Sequence, residues 1–132
     1  KTLVQHPLIN ISSDGSPGML HPRGYGSFSK VIQEYVIQEG LLELPEAIHK
    51  MTGLPAQTLG LWGRGQIACG YYADVLLFDP QAVKAQATYE EPHQLATGME
   101  YVIVNGKIAK ERERYAGKGH GRVLKREKLL KM

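Results

Sequence analysis

The run Leu8-Ile9-Asn10-Ile11 sets the hardest condition on what this chain can become. It reads as a short apolar strand, abandoned at Ser12 for a cluster of Ser, Asp, Gly and Pro that lasts to Gly18. Short and apolar, with Asn10 as its one polar residue, it has the pattern of a parallel strand covered on both faces. A lone parallel strand leaves its backbone groups unpaired. Its ladder partners must therefore come from residues absent here, from another chain or from a rearranged pairing. Asp14 falls just past the C-terminal end of this strand, and Arg23 follows on the same loop behind His21 and Pro22. In a barrel of parallel strands the loops at that end converge on one mouth, so a carboxylate and a guanidinium on such a loop can face one small ligand. Taken alone, Asp14-Gly15 fits a turn better than a catalytic pair, because Asp bonds its own backbone and Gly accepts positive φ. An arginine in a glycine-rich loop is ordinarily just solvated.

Beyond that loop the sequence divides into a helical half and a strand half. Ser27 suits the N-cap of a helix starting near Phe28, where Val31, Ile32, Tyr35, Val36 and Glu39 continue one mostly apolar face to a left-handed stop at Gly40. Behind Pro45, the residues Leu44, Ala47, Ile48 and Met51 repeat the spacing up to Gly53, with His49 and Lys50 on the exposed side. Pro55 opens a third, shorter helix through Thr58, closed by Gly60. From Leu61 the texture changes. Trp62 to Ile67 reads as an extended stretch entering a tight turn, and Ala73 to Asp79 as a strand ended by Pro80. Residues 81–98 are polar and irregular. Tyr101 to Val104, Asn105-Gly106 and Lys107 to Ala109 form the clearest hairpin, since Asn-Gly suits the two positive-φ positions of a type I′ turn.

The 132 residues, 42% hydrophobic and 22% charged, allow one globular domain of ordinary size. No apolar run approaches the roughly 20 residues that cross a bilayer, so no membrane association is expected. The single cysteine, Cys69, excludes an internal disulfide and a cysteine metal cluster, and its small neighbours suggest a buried filler. The opening Lys-Thr-Leu-Val-Gln, with no initiator Met or signal peptide, suggests a piece of something longer. Ten of the 16 Lys and Arg lie from Lys107 onward with three of the 13 Asp and Glu, leaving six basic and ten acidic residues before it. This basic tail holds one aromatic, Tyr115, and lacks the interleaved stacking residues of single-strand binders, which favours a solvated segment over a nucleic-acid site.

A series of motifs runs in order along the chain: Ser13-Asp14-Gly15; His21-Pro22-Arg23 with Gly24, Gly26 and Phe28; Met51-Thr52-Gly53-Leu54-Pro55-Ala56; Gly60-Leu61 and Gly63-Arg64-Gly65; Gly70, Ala73-Asp74 and Phe78-Asp79-Pro80; and Val104-Asn105-Gly106. Together they resemble the C-terminal part of the N-acyl-D-amino-acid deacylases, the D-aminoacylases of the metal-dependent amidohydrolase superfamily. The first motif is close to specific for those deacylases, and the later ones are shared more widely among amidohydrolases. The resemblance implies an α/β fold: the last strand and trailing helices of a (β/α)8 barrel over residues 1–60, the C-terminal strands of a small β-sandwich over 61–111, and a basic tail over 112–132. The remaining barrel strands and the metal-binding histidines would then lie upstream of Lys1.

Deacylation needs a nucleophilic water, a proton carrier from that water to the departing amine, and a grip on the substrate carboxylate. A bound Zn²⁺ meets the first need. A rim carboxylate suits the second, and by resemblance it is Asp14. Arg23 matches the family's carboxylate-binding arginine, and a guanidinium does grip a carboxylate through two parallel charge-assisted bonds that lysine cannot copy. His21 is the one histidine near Asp14 and a candidate for the same pocket, although a structural role in turning the loop is the simpler reading. The five histidines, His6, His21, His49, His93 and His120, form neither a His-x-His nor a His-x-x-x-His pair, so no zinc site can be read from them. Zinc is accordingly expected in a full-length protein, with ligands mostly outside this chain, and no cofactor in this chain alone. The expected partners are an N-acyl-D-amino acid and the missing N-terminal part of the same protein. The alternative is a non-catalytic C-terminal fragment that self-associates or completes a barrel in trans.

Overall fold

The computed structural model describes residues 1–117 and 119–125. Helices occupy the chain up to residue 59 and strands follow from residue 75. A short helix α1 (Thr2–Gln5) leads into an irregular run, and α2 (Arg23–Lys30) continues without a break into a π-helix over Val31–Gln38. Helices α3 (Leu44–Met51) and α4 (Gly53–Leu59) follow. Strands β1 (Val75–Phe78), β2 (Met99–Val104), β3 (Lys107–Glu111) and β4 (Arg114–Tyr115) form one antiparallel sheet in sequence order.

The glycine and proline signals position these elements as expected. Gly40 and Gly60 take left-handed φ values of 58° and 67° at the helix ends, and Pro45 lies in the first turn of α3. Asn105 (φ 50°) and Gly106 (φ 76°) make the two-residue turn between β2 and β3, with Val104 opposite Lys107. The structure adds a second tight turn, where Arg112 (φ 48°) lets β4 return along β3 with Glu111 opposite Arg114. These two β4 residues lie in the stretch read as basic tail; residue 118 and residues 126–132 of that tail lie outside the described residues. At the sheet, Tyr101 donates its hydroxyl to Glu111 at 2.9 Å, and this bond holds the phenol above its ordinary pKa range.

The helical core gathers Val31, Leu42 and Ala47, with Val4, Ile11, Tyr35, Val36 and Met51 packed against them. Tyr35 and Val36 pack against this cluster from a helix wound with five-residue hydrogen-bonded turns, as in the Glu39 amide donating to the Glu34 carbonyl at 2.8 Å.

Four expectations are corrected. Leu8 to Ile11 is not a strand: Leu8 and Ile9 are exposed, and the amide of Ile11 bonds the Lys50 carbonyl at 3.0 Å instead of a neighbouring strand. The physical reason is the one stated at the outset, that a parallel strand without ladder partners has nothing to hold it extended. Ser27 lies inside α2, where its hydroxyl donates to the Arg23 carbonyl at 2.8 Å, and the helix starts at Arg23 behind Pro22. Cys69 is exposed, not a buried filler.

Lys50 is the fourth. His49 is exposed as expected, but the Lys50 side chain is 1% exposed, its amine donating to the carbonyls of His6 (2.5 Å) and Ile9 (3.3 Å), with Glu46 at 3.9 Å. Helical periodicity puts this position on the solvent side; the returning 6–11 segment covers it with carbonyls that need a donor. Lys50→Met, which keeps the aliphatic stem, is expected to cost about 1–3 kcal/mol in urea unfolding, the range for leaving buried acceptors unpaired. A change under about 0.5 kcal/mol would mean that the amine is replaceable by water.

Candidate functional site

The candidate residues sit where an irregular loop meets the start of α2. Asp14 has a left-handed backbone (φ 49°), a conformation Asp tolerates because its side chain bonds locally. Two serine hydroxyls shape the approach, Ser12 accepting from the Asp14 amide at 3.3 Å and Ser13 from the Gly15 amide at 3.2 Å. From this turn the Asp14 carboxylate reaches Arg23, the first residue of α2, at 2.6 Å between Oδ2 and Nη2. The pair is open to solvent, with side chains 78% and 47% exposed, so its value is geometric more than stabilising. A carboxylate at a helix N-terminus also meets the positive end of the helix dipole.

His21 joins the same constellation through the backbone. Its Nδ1 accepts the Arg23 amide proton at 3.1 Å, satisfying a free donor in the first turn of α2. An amide only donates, so the neutral ring carries its proton on Nε2, which points at the Tyr89 hydroxyl oxygen 3.3 Å away. The His21 and Tyr89 rings meet edge to face, 5.1 Å between centroids. The structure thus brings Asp14, His21 and Arg23 together, with His21 as a prop for the loop. Tyr89, and His93 nearby, were not legible in the sequence: both lie in the irregular 81–98 stretch, where neither periodicity nor spacing singles them out.

Two further features lie away from this loop. Arg64, its side chain 9% exposed, forms an ion pair with Asp74 and donates from Nη2 to Asn105 Oδ1 at 2.6 Å, while Asp74 Oδ1 accepts the Asn105 amide at 2.8 Å. Motifs recorded separately along the sequence, Gly63-Arg64-Gly65, Ala73-Asp74 and Asn105-Gly106, therefore close into one junction. The Tyr72 ring lies near both Arg64 (4.3 Å) and Arg122 (4.0 Å). Gly65 is required beside it: φ is 78°, and a Cβ there would lie 2.7 Å from that of Ala56.

The second feature is an open groove of about 880 Å³ between α3, α4 and β1, lined by apolar side chains including Ile48, Met51, Leu59, Leu76 and Phe78. Asp14, His21 and Arg23 do not line it. Among the described residues no three His, Cys, Asp or Glu side chains come together to hold a metal ion, and no helix is long and apolar enough to cross a membrane.

Comparison with known proteins agrees with the motifs. The Amidohydrolase family model matches residues 1–109, and the chain belongs to that family. It is similar to the N-acyl-D-aspartate deacylase of Alcaligenes xylosoxydans xylosoxydans, 43% identical over 124 residues that make up 92% of this chain and 25% of the relative. Among solved structures it is similar to a D-aminoacylase (42% identity, TM-score 0.88), over 95% of this chain and 27% of that one. It is also similar to the N-acyl-D-glutamate deacylase of Bordetella bronchiseptica in complex with zinc and a phosphonate inhibitor (41% identity, TM-score 0.76), over 80% and 23%. The resemblance to the N-acyl-D-amino-acid deacylases is thereby borne out, and the chain spans about a quarter of the length of the curated relatives it matches.

Proposed function

We propose that these residues serve as the proton-carrying and carboxylate-binding portion of a zinc-dependent hydrolase that cleaves N-acyl-D-amino acids to a carboxylate and a free D-amino acid. The observation that carries the reading is the 2.6 Å contact between Asp14 and Arg23. In the substrate the scissile nitrogen is two bonds from the carboxylate carbon. A base beside the guanidinium that grips the carboxylate is therefore within reach of the leaving amine. In this reading Arg23 exchanges Asp14 for the substrate carboxylate, and the freed Asp14 oxygen takes a proton from the attacking water. As the C–N bond breaks, that proton passes to the amine nitrogen while the water oxygen stays on the acyl carbon. His21 keeps Arg23 in place from its backbone side and borders the pocket.

The described residues do not fit a zinc site, so no step is derived through the metal, and its ligands are assigned to polypeptide outside this chain. Residues 1–60 are assigned to the last strand position and trailing helices of a (β/α)8 barrel, 61–111 to a β-sandwich and 112–132 to a basic tail. The apolar groove and the exposed Leu8, Ile9, Leu76 and Leu77 support cover by the remaining polypeptide. The same surfaces favour one other reading, a non-catalytic fragment that self-associates or completes a barrel in trans.

Arg23→Lys in the full-length protein tests the role of the clamp. The expected result is a loss of about 10- to 100-fold in kcat/KM for N-acyl-D-amino acids, the scale of a charge-assisted hydrogen bond, with carboxylate-free amides little affected. Equal losses on both substrate types would assign the arginine a structural role.

A further inference from the structure

We propose that residues 84–97 form a strap whose Tyr89 and His93 are positioning residues for the loop bearing Asp14, His21 and Arg23. The strap is closed at its base, where Lys84 and Thr97 exchange both backbone hydrogen bonds (3.3 and 3.1 Å) beside the buried Val83. It turns at its tip through Thr88 and Glu91, the Glu91 amide bonding the Thr88 hydroxyl at 3.0 Å. Between base and tip it runs along α2. Small residues allow the approach: a methyl group at Gly26 would meet the Cβ atoms of Ala85 and Ala87 at 3.5 and 3.6 Å. The Ala85 amide is also held by Gln33 Oε1 at 2.9 Å.

From this fixed base the strap extends two ring side chains to the loop. His93 Nε2 donates to the Met19 carbonyl at 2.9 Å, and the His93 ring packs on Tyr25 with 5.3 Å between centroids. Tyr89 accepts from His21 Nε2, whose Nδ1 in turn receives the Arg23 amide. A continuous relay of contacts therefore runs from Tyr89 through His21 to Arg23 and on to Asp14. The loop from Ser12 to Leu20 has few backbone partners of its own, one of them being the Met19 amide to the Ser16 carbonyl at 3.2 Å. Its C-terminal side is set from outside, by His93 at the Met19 carbonyl and by the His21 ring that holds the Arg23 amide, Arg23 being the partner of Asp14. Tyr89 itself is 73% exposed, so it contributes contact to His21 without filling a core position.

The assignment rests on the function proposed above, and the experiment separates the two. In the full-length protein, His93→Leu is expected to speed amide hydrogen exchange at residues 14–24 by up to about tenfold, the scale of one hydrogen bond. It should also raise KM for N-acyl-D-amino acids by a similar factor with kcat and the melting temperature little changed. His93→Gln, whose amide can still donate to Met19, restores both, and Tyr89→Phe raises KM alone. Unchanged exchange in His93→Leu overturns the strap whatever the activity. Faster exchange with unchanged KM, in a protein where Arg23→Lys does raise KM, overturns it as well. If Arg23→Lys leaves KM unaltered, the clamp reading fails, and the exchange data with the glutamine rescue alone decide the strap.

Discussion

Asp14→Asn in the full-length protein is expected to lower kcat by about 10²- to 10⁴-fold, the usual contribution of a positioned proton carrier. The substitution is chosen for its backbone. Asp14 sits at φ 49°, and Asn is among the few residues that adopt the left-handed region readily, so the turn survives the change where alanine would strain it. The Asn carbonyl can still accept a bond from Arg23, while the side chain can no longer take up and return a proton. Metal content and melting temperature should therefore remain near wild type as turnover collapses. Steady-state kinetics on an N-acyl-D-amino acid, with metal analysis of the same preparation, reads both. A mutant that retains comparable turnover removes Asp14 from the mechanism.

Arg64→Ala is expected to cost about 1.5–3 kcal/mol, the scale of a charge-assisted hydrogen-bond network whose arginine is buried while its Asp74 partner is 37% exposed and screened by solvent. The guanidinium reaches Asp74 and Asn105 at once, and their mutual bond ties the end of the irregular 60–74 stretch to the β2–β3 turn. Removing it leaves the Asp74 carboxylate beside the turn with, among the described residues, the Asn105 amide as its remaining long-range partner. Against a typical total stability of about 5–15 kcal/mol, such a loss takes away a large share. Lysine should not rescue, because a point charge cannot span two acceptors in the plane of a fork. Denaturant unfolding measures the effect; a loss below about 1 kcal/mol would reduce the junction to an ordinary surface pair.

The contrast between these two sites marks what a single sequence discloses. Local chemistry was legible: Asn105-Gly106 demanded its turn, and Gly40 and Gly60 ended their helices, because each effect is settled within a few residues. Asp14 and Arg23 were visible as a pair through their shared loop and the family motif. Features created by distant segments were not. Leu8 to Ile11 carries the composition of a strand, yet a ladder is a property of two segments, and the second is absent among the described residues. Lys50 looked solvated because helical spacing does not register carbonyls arriving from residues 6 and 9. His93 and Tyr89 lay hidden in an aperiodic stretch whose partners are about 70 residues earlier.

The π winding of Val31–Gln38 bears on how related chains should be compared. Such a stretch accommodates an additional residue without interrupting the helix. A homologue one residue shorter here and wound in the ordinary way would keep the downstream chain on the same face, since one wide turn takes up about one residue more than the 3.6 of an α-turn. The residues matching Tyr35 and Val36 would then still face the cluster of Val31, Leu42 and Ala47. A one-residue gap between positions 31 and 38 thus removes a wide turn and leaves the helical phase beyond it intact, and aligning the chains without that gap would pair residues about 100° apart around the helix.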